Sequence, residues 1–238
     1  MVQNPSTGTG PAIINRFGYY TSILMAGITL ITFVIAFLTP PISGPFCPGD
    51  CIEYPFPGIE SRFPRDYFWM YPAIFLNLIF VILVVCIHQV ASLEKKIFSQ
   101  AGLAFAVISA SILVTNYFLQ VSVIQPSLLN GETDGILLLT QYNAHGVFIA
   151  LEEIGLLMMS LSFLFIALVF SGNRLENSIR WTFIISFTLT IISLIAISII
   201  HGIHREYHFE VYVISICWLT LIINGILLAR VFRRAMKT

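Results

Sequence analysis

Six apolar stretches, each long enough to cross a bilayer, constrain this chain more than any other feature of its sequence. A helix needs about 20 mostly apolar residues to span the hydrocarbon core, where only helices and closed barrels satisfy their backbone hydrogen bonds. Charged residues make up 10% of the chain, against about 25% in soluble domains. The sequence therefore predicts an all-α membrane protein, a bundle of six transmembrane helices. The predicted spans are residues 19–39, 69–92, 99–122, 143–171, 179–201 and 210–232.

The chain reads as one transmembrane domain with short ends. Residues 1–18 are rich in Asn, Ser, Thr, Gly and Pro and predict a short flexible N-terminal lead. The first apolar run is longer than the core of a signal peptide, and no small-residue cleavage site follows it. We therefore predict that this run is retained as the first span of a domain over residues 19–234. Residues 235–238 form a basic tail end.

Lysine and arginine in the connections set the predicted orientation, because cytoplasmic loops carry an excess of both. If the N-terminus is cytoplasmic, the inner segments carry nine of these residues and the outer segments carry three. The inner ones are Arg16, Lys95, Lys96, Arg174, Arg180, Arg230, Arg233, Arg234 and Lys237, and the outer ones are Arg62, Arg65 and Arg205. We expect both termini to be cytoplasmic, in a plasma or inner membrane. Aromatic clusters at residues 66–72 and 206–212 then predict a belt at the outer interface.

The first outer loop, residues 40–68, is dense in proline and aromatic residues, which excludes a regular helix and favours a compact cap. Cys47 and Cys51 lie in this loop on the side that faces an oxidising compartment, so a disulfide between them is the favoured interpretation. A redox centre or a metal site are the alternatives, although no second cysteine pair is present to relay electrons. Cys86 and Cys217 fall inside spans, where a free cysteine behaves as a small apolar residue.

Two adjacent acids, Glu152 and Glu153, interrupt the fourth apolar stretch near its outer end. A charged carboxylate at the middle of a membrane costs about 2.5–3.5 kcal/mol, unless it is protonated, paired or hydrated. The spacing of seven residues predicts that His145 shares a helical face with Glu152. A binding or proton-handling site is one interpretation. The other is a structural ion pair with an arginine of the outer loops: Arg62, Arg65 or Arg205.

The third span carries a polar stripe that rises toward the same outer side. Ser109, Asn116 and Gln120 lie on one face by their spacing of seven and four. Polar side chains in a membrane either mark functional sites or hold helices together by hydrogen bonds, and both interpretations remain open. A small-residue pattern on this span predicts close helix packing: Gly102, Ala106 and Ala110.

Histidines cluster at the predicted outer boundary of the last two spans. His201, His204 and His208 would share a face of a continuous helix, although a turn near Gly202 could break it. With the nearby glutamates they could hold zinc, copper or iron. The alternatives are solvated interfacial histidines and a pH-sensitive or ligand-contacting role.

These patterns give one main functional hypothesis. The protein is predicted to have an outward-facing polar pocket that binds a small molecule, a cation or a partner protein, as a sensor or an accessory membrane subunit. The residues assigned to this pocket are Glu152, Glu153, His145, Asn116 and Gln120. Its partners are the lipid bilayer and a homo-oligomer or a larger membrane complex. Net charge is zero and no basic patch is present, so nucleic acid is not expected.

Two alternatives come from other classes of protein. One is a membrane-embedded metal-dependent hydrolase that acts on lipid through the outer histidines and a glutamate base. The other is a proton- or cation-coupled carrier or channel. The chain has no HExxH, Walker or nucleophile motif, which argues against an enzyme. Below the glutamates only Ser160 and Ser162 are polar in the fourth span, which argues against a path through the membrane.

Overall fold

The structure, a computed structural model, describes residues 10–237. Residues 1–9 of the predicted lead and the last residue of the tail lie outside the described residues. Helices are the only regular elements of the described chain: α1 Gly10–Phe37, α2 Met70–Val90, α3 Lys96–Leu119, α4 Gln125–Leu129, α5 Val147–Ala167, α6 Arg174–His201 and α7 Glu206–Ala235. These helices make up six segments that are long and apolar enough to cross a membrane, because α3 and α4 belong to one continuous segment, Leu93–Leu129. The prediction of an all-helical chain with six such helices is confirmed.

The six long helices pack as a closed ring. In order around the ring, α1 packs against α2, α2 against α3, α3 against α5, α5 against α6, α6 against α7, and α7 against α1. Contacts between α5 and α7 cross the ring. The side chain of Asn15 donates to the carbonyl of Ala235 at 3.4 Å, so α1 begins where α7 ends. The end of the bundle that carries the loop between α1 and α2 is opposite and is called the loop end below.

Several helices begin or end at residues other than those of the predicted spans. The first helix begins at Gly10, well before residue 19, so residues 10–18 of the predicted flexible lead are helical. Helix α5 is shorter than the predicted 143–171. Gly146 has an extended backbone at its start, and Asn143 accepts from the amide of His145 instead of entering the helix. Helix α3 continues through a π-helical turn at Gln120–Ile124 into α4.

The loop between α1 and α2 contains the predicted disulfide, which joins Cys47 and Cys51. Phe56 and Ile59 of this loop form a small apolar cluster with Ile124, Leu128 and Tyr142, which follow α3 in the chain. The Ser43 hydroxyl also donates to the carbonyl of Tyr142 at 2.6 Å. The loop is therefore packed against a second connection at the loop end.

Candidate functional site

A cavity of about 390 Å³ lies at the loop end of the bundle. Its walls come from the end of α1, the segment 39–46, the residues just before α2, the turn before α5 with the first turn of α5, and the first half of α7. Eight of its 21 lining residues are aromatic: Phe33, Phe37, Phe46, Trp69, Tyr142, Phe148, Tyr207 and Trp218. Phe37 is 80% exposed, so this wall of the cavity borders the molecular surface.

Trp69 links the aromatic wall of the cavity to the buried core. Its ring lies 6.1 Å from the ring of Trp218 and 6.5 Å from that of Phe148, both of which line the cavity. It also meets the ring of Tyr117 edge-on at 5.3 Å. Edge-to-face contacts of this kind stabilise aromatic clusters beyond their buried area. The wall is therefore continuous with the core around Tyr117.

Asp66 is one of two acids that line the cavity, and arginines compensate its charge. Its carboxylate lies 3.5 Å from Nε of Arg62 and 3.8 Å from Nε of Arg65. The hydroxyl of Tyr142 donates to it at 3.2 Å. Burial, followed by the nearby Tyr67 and Asp66, raises the pKa of the Tyr142 phenol far above its usual value. Tyr142 therefore stays protonated and keeps its role as a donor to Asp66.

Glu210, the second acid, is 8% exposed and lies beside Glu152, which is fully buried. The two carboxyl groups are in hydrogen-bonding contact. Two carboxylates have no hydrogen to share, so at least one of the pair carries a proton. Beyond this contact, no donor among the described residues reaches Oε2 of either residue. The hydroxyl of Tyr117 donates to Oε1 of Glu152 at 2.5 Å. Tyr117, Glu152 and Glu210 therefore form a buried row of three hydrogen-bonding groups, and Glu210 is the one that lines the cavity.

Glu153 points elsewhere and has a cationic partner. Its Oε2 lies 3.1 Å from Nη1 of Arg205. The guanidinium of Arg205 also lies 5.9 Å from the ring centre of Phe209. Of the arginines suggested by the sequence, Arg205 thus pairs with Glu153, while Arg62 and Arg65 pair with Asp66. The interpretation as a structural ion pair therefore applies to Glu153 and not to Glu152.

The polar stripe of α3 holds helices together. Asn116 donates to the carbonyl of Phe148 at 2.9 Å, and Ser109 donates to the carbonyl of Gly155 at 2.7 Å. Gln120 donates to the carbonyl of Leu139 at 2.6 Å and accepts from the amide of Gln141. These contacts support the packing interpretation of the stripe. None of the five residues that the sequence assigned to the pocket is among the residues that line the cavity.

The predicted helical face shared by His145 and Glu152 is wrong. His145 precedes Gly146, where the backbone is still extended, so helical spacing does not relate it to α5. Its ring instead lies 5.5 Å from the ring of His204. His145 therefore lies outside the helix that carries Glu152.

The three histidines between α6 and α7 do not form one face either. Helix α6 ends just before Gly202, where φ is +58°, and His204 lies in a separate short turn. The reversal stacks His201 on His208, with ring centres 3.8 Å apart. Among the side chains that the structure describes, no three of His, Cys, Asp or Glu converge as a set of metal ligands. The geometry gives two histidine pairs and does not support the proposed metal site.

The residues that build the cavity were mostly missed by sequence reasoning. Trp69 and Tyr207 belong to clusters interpreted as an interfacial aromatic belt, yet both line the cavity. Tyr67 and Phe209 of the same clusters are fully buried. A local signal existed, since each cluster also contains an acid, Asp66 or Glu210. An ionisable residue at membrane depth is by default a candidate for function.

Comparisons of the chain with protein-family models, with curated proteins and with solved structures found no match. The class of the molecule therefore follows from its fold alone. Six helices that are long and apolar enough to span a bilayer make it a polytopic membrane protein.

Proposed function

We propose that this protein binds a small molecule in the cavity at its loop end and acts as a sensor or an accessory membrane subunit. The observation that carries this proposal is the cavity itself. Its volume of about 390 Å³ falls in the range of about 300–1,000 Å³ typical of ligand sites. Such sites are mostly apolar and aromatic with a few polar groups, as this lining is. Glu152, the predicted pocket acid, does not line the cavity and would influence the ligand through its contact with Glu210.

The proposed orientation places the cavity on the outer side of a plasma or inner membrane, with both termini cytoplasmic. The excess of lysine and arginine on the other side supports it. The disulfide supports it as well, since disulfides persist in oxidising compartments. The protein would work alone in the bilayer, as a homo-oligomer or within a larger membrane complex.

The packing beyond Glu152 favours a one-sided site over a carrier or channel. Leu156, Met159 and Phe163 follow Glu152 along α5 toward the other end, and all three are fully buried. The ring of Phe163 lies 5.6 Å from that of Phe80 and 5.1 Å from that of Phe183. These side chains form an apolar plug, which argues against a polar path inward along α5.

Cysteine labelling from outside the cell tests the proposed site. Ser215 lines the cavity, so we would place a cysteine there by Ser215→Cys, with the free Cys86 and Cys217 replaced by alanine. A membrane-impermeant methanethiosulfonate reagent added to intact cells should modify this cysteine. Binding of a small molecule should slow the modification, because the occupied cavity excludes the reagent.

Ser171→Cys serves as the matched control. Ser171 is exposed in the connection before α6, at the opposite end of the bundle. It should react only after the cells are made permeable. Failure of Ser215→Cys to react in intact and permeable cells alike would mean that the cavity is closed, and it would overturn the proposal.

A further inference from the structure

We propose that the cavity binds an organic cation, which it takes up in exchange for the proton shared by Glu152 and Glu210. This inference rests on the proposed function, since it names the chemical class that the same cavity accepts. It goes beyond that function by assigning a charge to the ligand and by linking its binding to proton release.

The charge of the cavity favours a cation. Asp66 and Glu210 line it, and no lysine, arginine or histidine is among the described residues that do so. Asp66 already has Arg62 and Arg65 beside it. Glu210 is left as the acid whose charge a ligand can compensate, because the described residues give its carboxyl group no cationic partner and place another carboxyl group beside it.

The aromatic lining favours a cation whose charge is spread over alkyl groups. The faces of Trp, Tyr and Phe attract cations, and aromatic cages recognise quaternary ammonium groups. Trp69 and Trp218 stand side by side in the wall with ring centres 6.1 Å apart, and Tyr207 and Glu210 come from the same end of α7. A small inorganic ion needs a shell of oxygen ligands, whereas most of this lining is aromatic or aliphatic.

The shared proton connects binding to pH. A cation near Glu210 stabilises the ionised carboxyl pair, so the pair releases its proton to bulk water when the cation binds. The other titratable side chains that face this pair are Tyr117 of α3, Glu153 of α5 and Tyr207 of α7. Glu153 is neutralised by Arg205. Because linkage is reciprocal, a higher pH should strengthen cation binding.

A pair of nearly isosteric probes tests the proposal: choline and its neutral analogue 3,3-dimethyl-1-butanol. The full chain with Trp181→Phe would be placed in phosphatidylglycerol nanodiscs, so that Trp69 and Trp218 report binding by fluorescence. Choline should bind at least about tenfold more tightly than the alcohol. Its affinity should rise by up to about tenfold for each pH unit over the range in which one proton is released.

Variants locate the effect. Glu210→Gln should remove the preference for choline over the alcohol, whereas Glu94→Gln, an exposed acid at the opposite end, should keep it. Glu152→Gln should leave choline binding but remove its pH dependence, because an amide can donate to an ionised Glu210 without a shared proton. The comparison of the two probes on the parent protein stands even where a variant does not fold.

The outcomes separate this inference from the function on which it rests. Equal binding of choline and the alcohol would overturn the cation and leave the small-molecule site in place. No response to either probe, together with an unreactive Ser215→Cys, would overturn both. Choline binding that does not change with pH would overturn the proton exchange. Loss of choline binding in phosphatidylcholine nanodiscs would support the cation and identify a lipid headgroup as its source, while unchanged binding would indicate a free cation.

Discussion

Glu152 and Glu153 are neighbours in the chain, yet the structure gives them different surroundings. Consecutive residues of a helix point about 100° apart, so Glu153 reaches Arg205 while Glu152 reaches Tyr117 and Glu210. The Glu153–Arg205 contact joins opposite charges. The contact of Glu152 with Tyr117 and Glu210 instead shares protons among groups that are neutral or carry a single charge. Both lower the cost of a carboxyl group in a membrane, by different physical means.

Substitutions at the ion pair should be strongly coupled. Arg205→Met should lower the free energy of unfolding by about 1–3 kcal/mol, because it leaves the Glu153 carboxylate buried without its cation, although Arg205 is partly exposed. Adding Glu153→Gln to Arg205→Met should recover part of this loss. A double-mutant cycle measured by unfolding in mixed micelles gives the coupling. Strict additivity of the two changes would show that the pair contributes nothing.

A second residue-scale prediction concerns Tyr117. Tyr117→Phe keeps the ring that packs on Trp69 and removes the hydroxyl that donates to Glu152. We expect a loss of about 1–3 kcal/mol in the free energy of unfolding, because a buried acceptor loses its donor. The control is Tyr20→Phe, at a ring that is 57% exposed, which should change little. Equal stability of both variants would contradict a net contribution from this hydrogen bond.

Sequence reasoning located the unusual acids but could not find all their partners. Hydropathy alone marks Glu152 and Glu153 as costly. The sequence offered three arginines as partners, Arg62, Arg65 and Arg205, and only Arg205 pairs with one of the two acids. Nothing local indicates that Glu210 meets Glu152 across the ring, since that contact depends on how α5 and α7 pack. His145 was misplaced for a related reason, because α5 starts at Val147, four residues later than the predicted span 143–171.

At the scale of elements, the seam between α3 and α5 shows how small residues set the distance between helices. Ser162 donates to the carbonyl of Gly102, and Ser109 donates to the carbonyl of Gly155, so each helix donates to the other across a glycine. A methyl group on Gly155 would lie 2.6 Å from the side chain of Leu113. The predicted close packing at Gly102 has its counterpart on α5 at Gly155.

Alanine substitutions should separate this close packing from helix propensity. Gly155→Ala should lower stability by about 1–3 kcal/mol, because overpacking at the seam outweighs the better propensity of alanine. Gly27→Ala, the matched control, places its methyl group in open space on α1 and should be neutral or slightly stabilising. Thermal unfolding in detergent measures both. A stabilised Gly155→Ala would show that the seam has room to spare.

The elements were the most predictable level of this structure. Each span is long and apolar enough that length and hydropathy alone define it, and all six are present. The connections were harder, because their conformation depends on particular hydrogen bonds such as those of Asn143 and on packing between loops. The aromatic clusters at 66–72 and 206–212 were assigned to the interface for the same reason, since periodicity does not tell an outward ring from one turned toward a cavity.

At the scale of the whole molecule, the closed ring makes the two ends of the bundle different. The ends of the described chain meet at one end through Asn15 and Ala235, and most lysines and arginines lie there as well. The disulfide, the cavity and the acid pair lie at the loop end. The apolar plug around Phe163 separates the two. The proposed function depends on which end faces the outside, so orientation is the property that most needs a direct test.

Protease protection of two tags in intact cells provides that test. One tag would follow Gly131, at an exposed turn of the loop end, and the other would follow the C-terminus. We expect an external protease to remove the first tag and to leave the second until the membrane is permeabilised, because positively charged segments stay in the cytoplasm. The opposite pattern would place the Cys47–Cys51 disulfide in a reducing compartment and open the cavity to the cytoplasm. In that case the proposed ligand would have to be an internal cation, and the positive-inside bias of nine to three would have been overridden.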